Sequence, residues 1–376
     1  MKDMRDTGHF SWNIGELSEG CKACVRGEKL VLFLTGACPR NCWYCPVSDE
    51  KMQKDVIYAN EDSVTSIQEI IREAKLCQSK GAGITGGDPL TKIERCVDFI
   101  KDLKKEFGKQ FHIHLYTSLI LVTEEKLKKL YESGLDEIRF HPDFKNTTNW
   151  NKIELARKFD WKIGIEIPCI PDFKSETFAL LNFFKDNVDF INLNELEAAD
   201  SARNKVFDRG YKSRDTYSYG ILGSEELTFE IMNFYKKEKI NIHFCTSKLK
   251  NIEQLGNRIK LRAKNIKKPY DKLTSSGSLI RGVIFTEKPS FNYHKELKKK
   301  DKEVEFLKLK TLQEELSEKI HISSEEIDID LIKYRLLTSV ILVKKYKNEL
   351  KKIGLVPAII EELATGDLFE IETTFL

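Results

Sequence analysis

Apolar residues along the chain fall into two alternating rhythms. Short apolar or period-two runs read as strands: "KLVLFLTG" (29–36), "AGITGG" (82–87), "FHIHLYTS" (111–118), "LDEIRFHP" (135–142), "KIGIEIPCIP" (162–171), "VDFINLNELE" (188–197) and "INIHFC" (240–245). Between them, apolar residues recur at helical spacing over 63–81, 92–108, 123–134, 151–159, 175–187 and 224–239. Strand, helix and strand repeated in this way predict parallel strands with right-handed crossovers. The fold class expected is α/β, a (β/α) partial barrel. Its working residues should gather at the C-terminal ends of the strands.

The rhythm changes after about residue 265. The spacing predicts a hairpin or edge strand over 277–287, a helix over 308–320, a strand over 335–346, a short helix, and a terminal strand pair turning at 365–367. Three parts are expected: an N-terminal segment over 1–28, the barrel over 29–265, and a small α+β C-terminal domain over 266–376.

Charge narrows this little. The 376 residues include 62 basic and 59 acidic side chains, and most lysines stand beside glutamates on helix faces. That is a solvated surface, so a nucleic-acid partner is compatible but not indicated, even at the basic helix predicted over 248–268. No apolar run is long enough to span a bilayer, and the first residues lack a signal core. No membrane association is expected, and the setting should be cytoplasmic and reducing. Five of the nine cysteines crowd into residues 21–45, which there reads as metal binding rather than disulfides.

"TGACPRNCWYCP" (35–46) places Cys38, Cys42 and Cys45 directly after a predicted strand. Three thiolates on one loop can hold three irons of a [4Fe–4S] cube and leave the fourth open. The plainer alternative is a zinc knuckle lacking its fourth ligand. "TGGDP" (85–89) ends the next strand, and Gly86 and Gly87 allow close backbone approach, although such a turn alone is commonly an ordinary loop.

Polar residues recur at the ends of later strands: Tyr116, Thr117, Ser118, Arg139, His141, Glu166, Asn192, Asn194, Glu195 and Glu197. Buried polar groups need partners. Each could serve a structural network; as a set, repeated at one end, they favour a bound ligand. Cys21 and Cys24 form a two-ligand hook, with Cys245 the best partner and Cys169 a weaker one. They would hold a second iron–sulfur cluster or zinc, or else form a redox pair or stay unliganded. Cys77 and Cys96 sit on predicted helices as small core residues.

With Tyr44 before its last cysteine, the C-x3-C-x2-C loop resembles the signature of the radical S-adenosylmethionine (SAM) superfamily. The stretch from Cys21 to about Ala263 resembles an archaeal-type branch related to pyruvate formate-lyase activating enzymes. The resemblance implies that Cys38, Cys42 and Cys45 ligate a [4Fe–4S] cluster whose open iron binds SAM. Tyr44 would lie near the adenine, and Gly86, Gly87 and Asp88 near the SAM amino group, with Asp88 in place of the usual Glu. It further implies reductive cleavage of SAM to a 5′-deoxyadenosyl radical, hydrogen abstraction from a substrate, and an electron donor such as a ferredoxin or flavodoxin. Thr117, Ser118, Arg139, His141, Glu166 and Asn194 complete the expected cofactor-binding set. The substrate, whether protein or peptide, RNA or metabolite, is not named by the chain. The alternatives are a non-catalytic iron–sulfur carrier or sensor and a glycyl-radical activating enzyme.

Overall fold

The computed structural model describes residues 3–216, 218–290 and 292–376, so the first two residues of the N-terminal segment lie outside the described set. The chain forms two compact units, Met1–Arg258 and Ile259–Leu376. The division falls inside a helix, where the sequence rhythm alone suggested a change near 265.

In the first unit an 11-stranded sheet supports everything else. Its parallel strands are β3 (Lys29–Phe33), β6 (Gly81–Thr85), β7 (His112–Thr117), β8 (Glu137–Phe140), β9 (Lys162–Cys169), β10 (Phe190–Glu195) and β11 (Asn241–Cys245), neighbours in that order. They match the strands read from sequence, each trimmed by a few residues. The N-terminal segment does not stand apart. β1 (Met4–Asp6) and β2 (Ser11–Ile14) extend the sheet antiparallel beyond β11, and the hairpin β4 (Ile57–Ala59) and β5 (Asp62–Val64) extends it beyond β3. The terminal strands β1 and β5 remain separate in the sheet order, which makes the barrel partial.

Connecting helices cover the outer face. They are α2 (Ile67–Leu76), α3 (Ile93–Phe107), α4 (Glu124–Glu132), α5 (Ile153–Ala156), α6 (Lys174–Phe184) and α7 (Ser224–Tyr235). α2 carries a full capping box, in which Ser66 and Glu69 satisfy each other's backbone donors. The outer core is apolar, with Ile84, Leu115, Ile138, Ile165, Leu193 and Phe244 fully buried. Cys77 and Cys96 are fully buried on this side, as expected.

The inner face is different. Successive residues of a strand alternate faces, and the pairs His114↔Glu137, Tyr116↔Arg139, Glu166↔Asn192 and Asn194↔Cys245 set polar side chains side by side inside the barrel. α1 (Glu19–Val25) packs against this face. A Cβ on Gly20 would stand 2.5 Å from both His114 Nδ1 and an Arg139 guanidinium nitrogen, so only glycine lets the helix come this close.

α8 (Gly256–Ile266) runs across the division between the units and follows a π-helical segment, Leu249–Leu255. The second unit is α+β. Its sheet runs β14 (Asp328–Asp330), β15 (Arg335–Thr338), β13 (Ser278–Phe285), β16 (Val356–Leu363) and β17 (Glu370–Phe375), with β12 (Lys272–Leu273) also on β13. Helices α9 (Tyr293–Leu297), α10 (Lys302–Ile320), α11 (Val340–Lys345) and α12 (Lys347–Lys352) complete it. The strand expected over 335–346 is corrected here. It stops at Thr338 because Ser339 accepts the Leu342 amide at 3.0 Å and starts α11. Arg335 is fully buried and compensated by Asp330 at 2.8 Å, Glu370 at 3.0 Å, and Glu362.

Candidate functional site

A cavity of about 480 Å³ opens within the first unit. Cys38, Cys42 and Cys45 line it, with Tyr44, Gly86, Gly87, Asp88, Thr117, Ser118, Arg139, His141, Glu166 and Asn194. Every cofactor-binding residue expected from sequence therefore borders one space. Cys24 also lines it, whereas Cys21 and Cys245 are buried in the barrel interior nearby.

The cysteine loop and the glycine turn interlock. The Gly87 amide donates to Thr35 O at 2.7 Å, and the Asp88 amide to Ala37 O at 2.8 Å. A Cβ on Gly86 would lie 2.4 Å from Thr35 O, and one on Gly87 would lie 2.4 Å from Ala37 O. Glycine is needed here because two backbones touch. Gln53 steadies the loop by donating to Cys38 O at 2.9 Å and accepting the Cys38 amide at 3.3 Å.

None of the nine cysteines is in a disulfide. Burial pushes the Cys38 thiol up to about 11, against the Arg40 amide, with Asp88, Cys42 and Cys45 adding to the rise. Cys45 is raised too, chiefly by burial. Three crowded thiols on one loop, two of them held back from ionising by burial, are a donor set awaiting positive charge, which suits an iron–sulfur cube. Among the described residues no three His, Cys, Asp or Glu side chains converge closely enough for a single metal ion. In a cube each cysteine binds a different iron, so wider spacing is what it requires.

Asp88 is 1 % exposed, and its carboxylate is fully engaged by the protein. Oδ1 accepts from the Thr117 hydroxyl at 2.7 Å and the Leu90 amide at 3.1 Å. Oδ2 accepts from the Ser118 hydroxyl at 2.7 Å and the Ser118 amide at 3.1 Å. The short side chain turns back on β7 and joins the ends of β6 and β7, so Asp88, Thr117 and Ser118 act as one bracket.

Tyr44 and His141 form a second pair, with Tyr44 Oη 3.0 Å from His141 Nε2. Burial and the Arg40 guanidinium bring His141 down to about 3, so it is neutral and accepts the phenol. Arg40 was not singled out from sequence. It donates to His141 O at 2.6 Å and pairs with Asp143 at 3.2 Å, tying the cysteine loop to the end of β8. Trp43 stacks on Tyr211 with centroids 5.7 Å apart.

Deeper in the barrel, Arg139 is 3 % exposed. It donates to Glu137 at 2.5 Å, Glu166 at 2.8 Å, Tyr116 Oη at 3.1 Å and Ser18 Oγ at 3.0 Å. Glu166 also accepts from Asn192 at 2.9 Å and Asn194 at 3.1 Å. Burial pushes Glu166 up, but Arg139 and the two amides outweigh it and keep it ionised. These strand-end residues are partners of one another. The Oδ1 atoms of Asn192 and Asn194 nonetheless remain buried without a partner among the described residues.

Cys21 joins this network. Its sulfur accepts from Asn192 Nδ2 at 3.3 Å and lies 3.6 Å from an Arg139 nitrogen. Burial would raise its pKa, but Arg139 and His243 bring it down to about 6. Cys24 and Cys245 are raised by burial, and each feels the charge of Cys21. Lys29 was also missed from sequence; its run reads as a plain buried strand, yet its side chain lines the cavity.

Comparison with known proteins identifies the family. Residues 32–153 match the family profile of the radical SAM superfamily. A protein of Methanocaldococcus jannaschii, provisionally named a glycyl-radical enzyme activating enzyme, is 46% identical over 281 residues, 72% of this chain and 74% of that one. A biotin synthase of Pseudoalteromonas translucida is 29% identical over 117 residues, 30% of this chain and 32% of its own length. Among solved structures, Streptococcus suis SuiB aligns with a TM-score of 0.40 and 15% identity, covering 58% of this chain and about half, 49%, of that one. The methanogen relative spans most of both chains, and the family match falls on the strand, cysteine loop and glycine turn that frame the cavity; the protein belongs to the radical SAM superfamily.

Proposed function

We propose that Cys38, Cys42 and Cys45 hold the [4Fe–4S] cluster of this radical SAM enzyme, and that SAM lies in the cavity beneath them. The observation that carries this reading is the continuity of one cavity from the three thiols, past the glycine turn, to the polar inner face of the barrel. When bound, the reduced cluster supplies the electron that cleaves SAM and so yields the 5′-deoxyadenosyl radical.

The chain's own residues orient and enclose. Gly86 and Gly87 bring backbone to the cavity wall. Asp88, Thr117 and Ser118 hold that wall rigid, so the expected Asp88 side-chain contact with SAM gives way to a bracing role. Tyr44 with neutral His141 presents an aromatic wall. Glu166 and Asn194 offer a fixed carboxylate and an open amide oxygen to a hydroxyl-bearing ligand. The apolar outer core and the helix layer keep water from the reacting centre.

The substrate is a molecule or segment small enough to enter the barrel, and a ferredoxin or flavodoxin-type donor supplies the electron. A second reading, activation of a glycyl-radical enzyme, is favoured by the name of the methanogen relative. Cys21, Cys24 and Cys245 share the barrel interior, and we propose that they bind a second iron–sulfur cluster. Zinc is less suited, because three donors do not converge on one point.

Anaerobic reconstitution with iron and sulfide, followed by dithionite and SAM, tests the central reading. Formation of 5′-deoxyadenosine is expected. A fully loaded cluster without that product returns the protein to the carrier or sensor class.

A further inference from the structure

Lys29 is the first residue of β3, at the end of the barrel opposite the cysteine loop that follows the strand. It is 2 % exposed and lines the same cavity as the three thiols. An ammonium carries three donors. Lys29 Nζ meets His114 Nδ1 at 2.5 Å and His112 Nδ1 at 3.4 Å. Burial, with nearby positive charge, holds both imidazoles well below their ordinary pKa, His112 at about 4, so both are neutral acceptors. Two donors are used, and one is left.

No carboxylate pairs with Lys29 among the described residues. Glu137, whose field reaches it, gives Oε1 to Arg139 at 2.5 Å, while its Oε2 is buried 3.6 Å from His112 Nε2 and outside ion-pair distance of Lys29. The other cavity cations are answered or wet. Arg139 pairs with Glu166 at 2.8 Å, Lys250 with Glu197 at 2.9 Å and Arg40 with Asp143 at 3.2 Å, while Arg203 is partly exposed. Cys24, Glu137 and Cys21 act on Lys29 only through their field, and a buried ammonium without a contact counter-ion is costly.

The far side of His114 repeats the pattern. With Nδ1 accepting, the proton sits on Nε2 and is donated to Tyr116 Oη at 2.9 Å. Arg139 donates to the same oxygen at 3.1 Å. Both lone pairs are then spent, and the phenol proton has no acceptor among the described residues. Burial raises the Tyr116 pKa well above its ordinary value, so this proton stays in place. Glycine makes room for the arrangement: a Cβ on Gly83 would stand 2.7 Å from His114 Nε2.

Two donors without acceptors thus flank one imidazole at the floor of the reaction cavity. We propose that Lys29 and Tyr116 form a subsite for the anionic end of a small substrate, a carboxylate or phosphate at Lys29 with a second oxygen acceptor at Tyr116. The inference rests on the reading of this cavity as the radical site, and it narrows the substrate to a small oxyanion-bearing molecule.

The test uses the anaerobically reconstituted holoenzyme with two probes, succinate and inorganic phosphate, in titration calorimetry. At least one should bind. Succinate alone identifies a carboxylate substrate, and phosphate alone a phosphorylated one. Lys29→Met is expected to weaken binding at least tenfold, and Tyr116→Phe, which keeps the ring, about fivefold. Absence of binding of both probes to the wild type overturns the proposal, as does unchanged affinity in Lys29→Met. If Lys29→Met does not fold, unchanged affinity in Tyr116→Phe overturns it instead. The wild type's formation of 5′-deoxyadenosine is scored separately. Its absence alongside Lys29-dependent anion binding removes the catalytic reading and leaves the subsite standing.

Discussion

The Ser118 hydroxyl donates to Asp88 Oδ2 at 2.7 Å, and the Ser118 amide donates to the same oxygen at 3.1 Å. A turn that the sequence presents as a ligand-binding motif is thus anchored to the neighbouring strand by its acidic side chain. Asp88→Ala should cost about 3 kcal/mol of stability, because four buried donors lose their acceptor together. Urea unfolding of wild type and variant measures this. Unchanged stability with sharply weakened SAM binding would instead return Asp88 to direct ligand contact.

Gly87→Ala tests the interlock from the other side. Its new methyl would meet Ala37 O at 2.4 Å and push the cysteine loop outward. Formation of 5′-deoxyadenosine is expected to fall about a hundredfold, on the scale of a misplacement of roughly 1 Å. Loss of bound iron should accompany it, read by iron content and visible absorbance.

The cysteines separate into two groups. Cys38→Ala should abolish 5′-deoxyadenosine formation while part of the iron is retained. The double variant Cys21→Ala, Cys24→Ala should lose about half the iron and keep the absorbance of one cube. Iron content equal to that of the wild type in the double variant would remove the second cluster.

Lys29 gives a signed pH dependence. Burial, then the Arg139 guanidinium, brings its pKa from an ordinary 10.5 down to about 8, against Cys24, Glu137 and Cys21; neutral His112 and His114 also face it. Below pH 8 the folded protein carries the buried charge at full cost. Between pH 8 and 10.5 the folded state releases its proton first, the unfolded state binds more protons, and stability rises. The wild type should therefore gain on the order of 3 kcal/mol over Lys29→Met across that window. Denaturant midpoints of both proteins at matched pH measure it, and a constant difference contradicts it.

Much of this architecture is legible in residue order. Each parallel strand announces itself as a short apolar or alternating run, and the cysteine loop follows the first of them. The polar inner face was visible only in part. His112, His114 and Tyr116, or Glu137 and Arg139, alternate with apolar neighbours as an inward row must, but which row faces inward is decided by packing. Lys29 opens an apolar strand and reads as part of a plain buried run until β7 places two imidazoles against it. The packing of α1 against the lumen depends on Gly20 and on partners more than ninety positions away, beyond any local pattern. Ser339 divides a run of β-branched and apolar residues that looks continuous, and one hydroxyl cap decides the outcome.

The glycine turn and the cysteine loop touch through their backbones at Thr35, Ala37, Gly86 and Gly87, so they are displaced together or not at all. Iron retention and SAM affinity are then two readings of a single equilibrium. Whatever factor by which SAM tightens the equilibrium hold on the cluster, the cluster must return in the affinity for SAM.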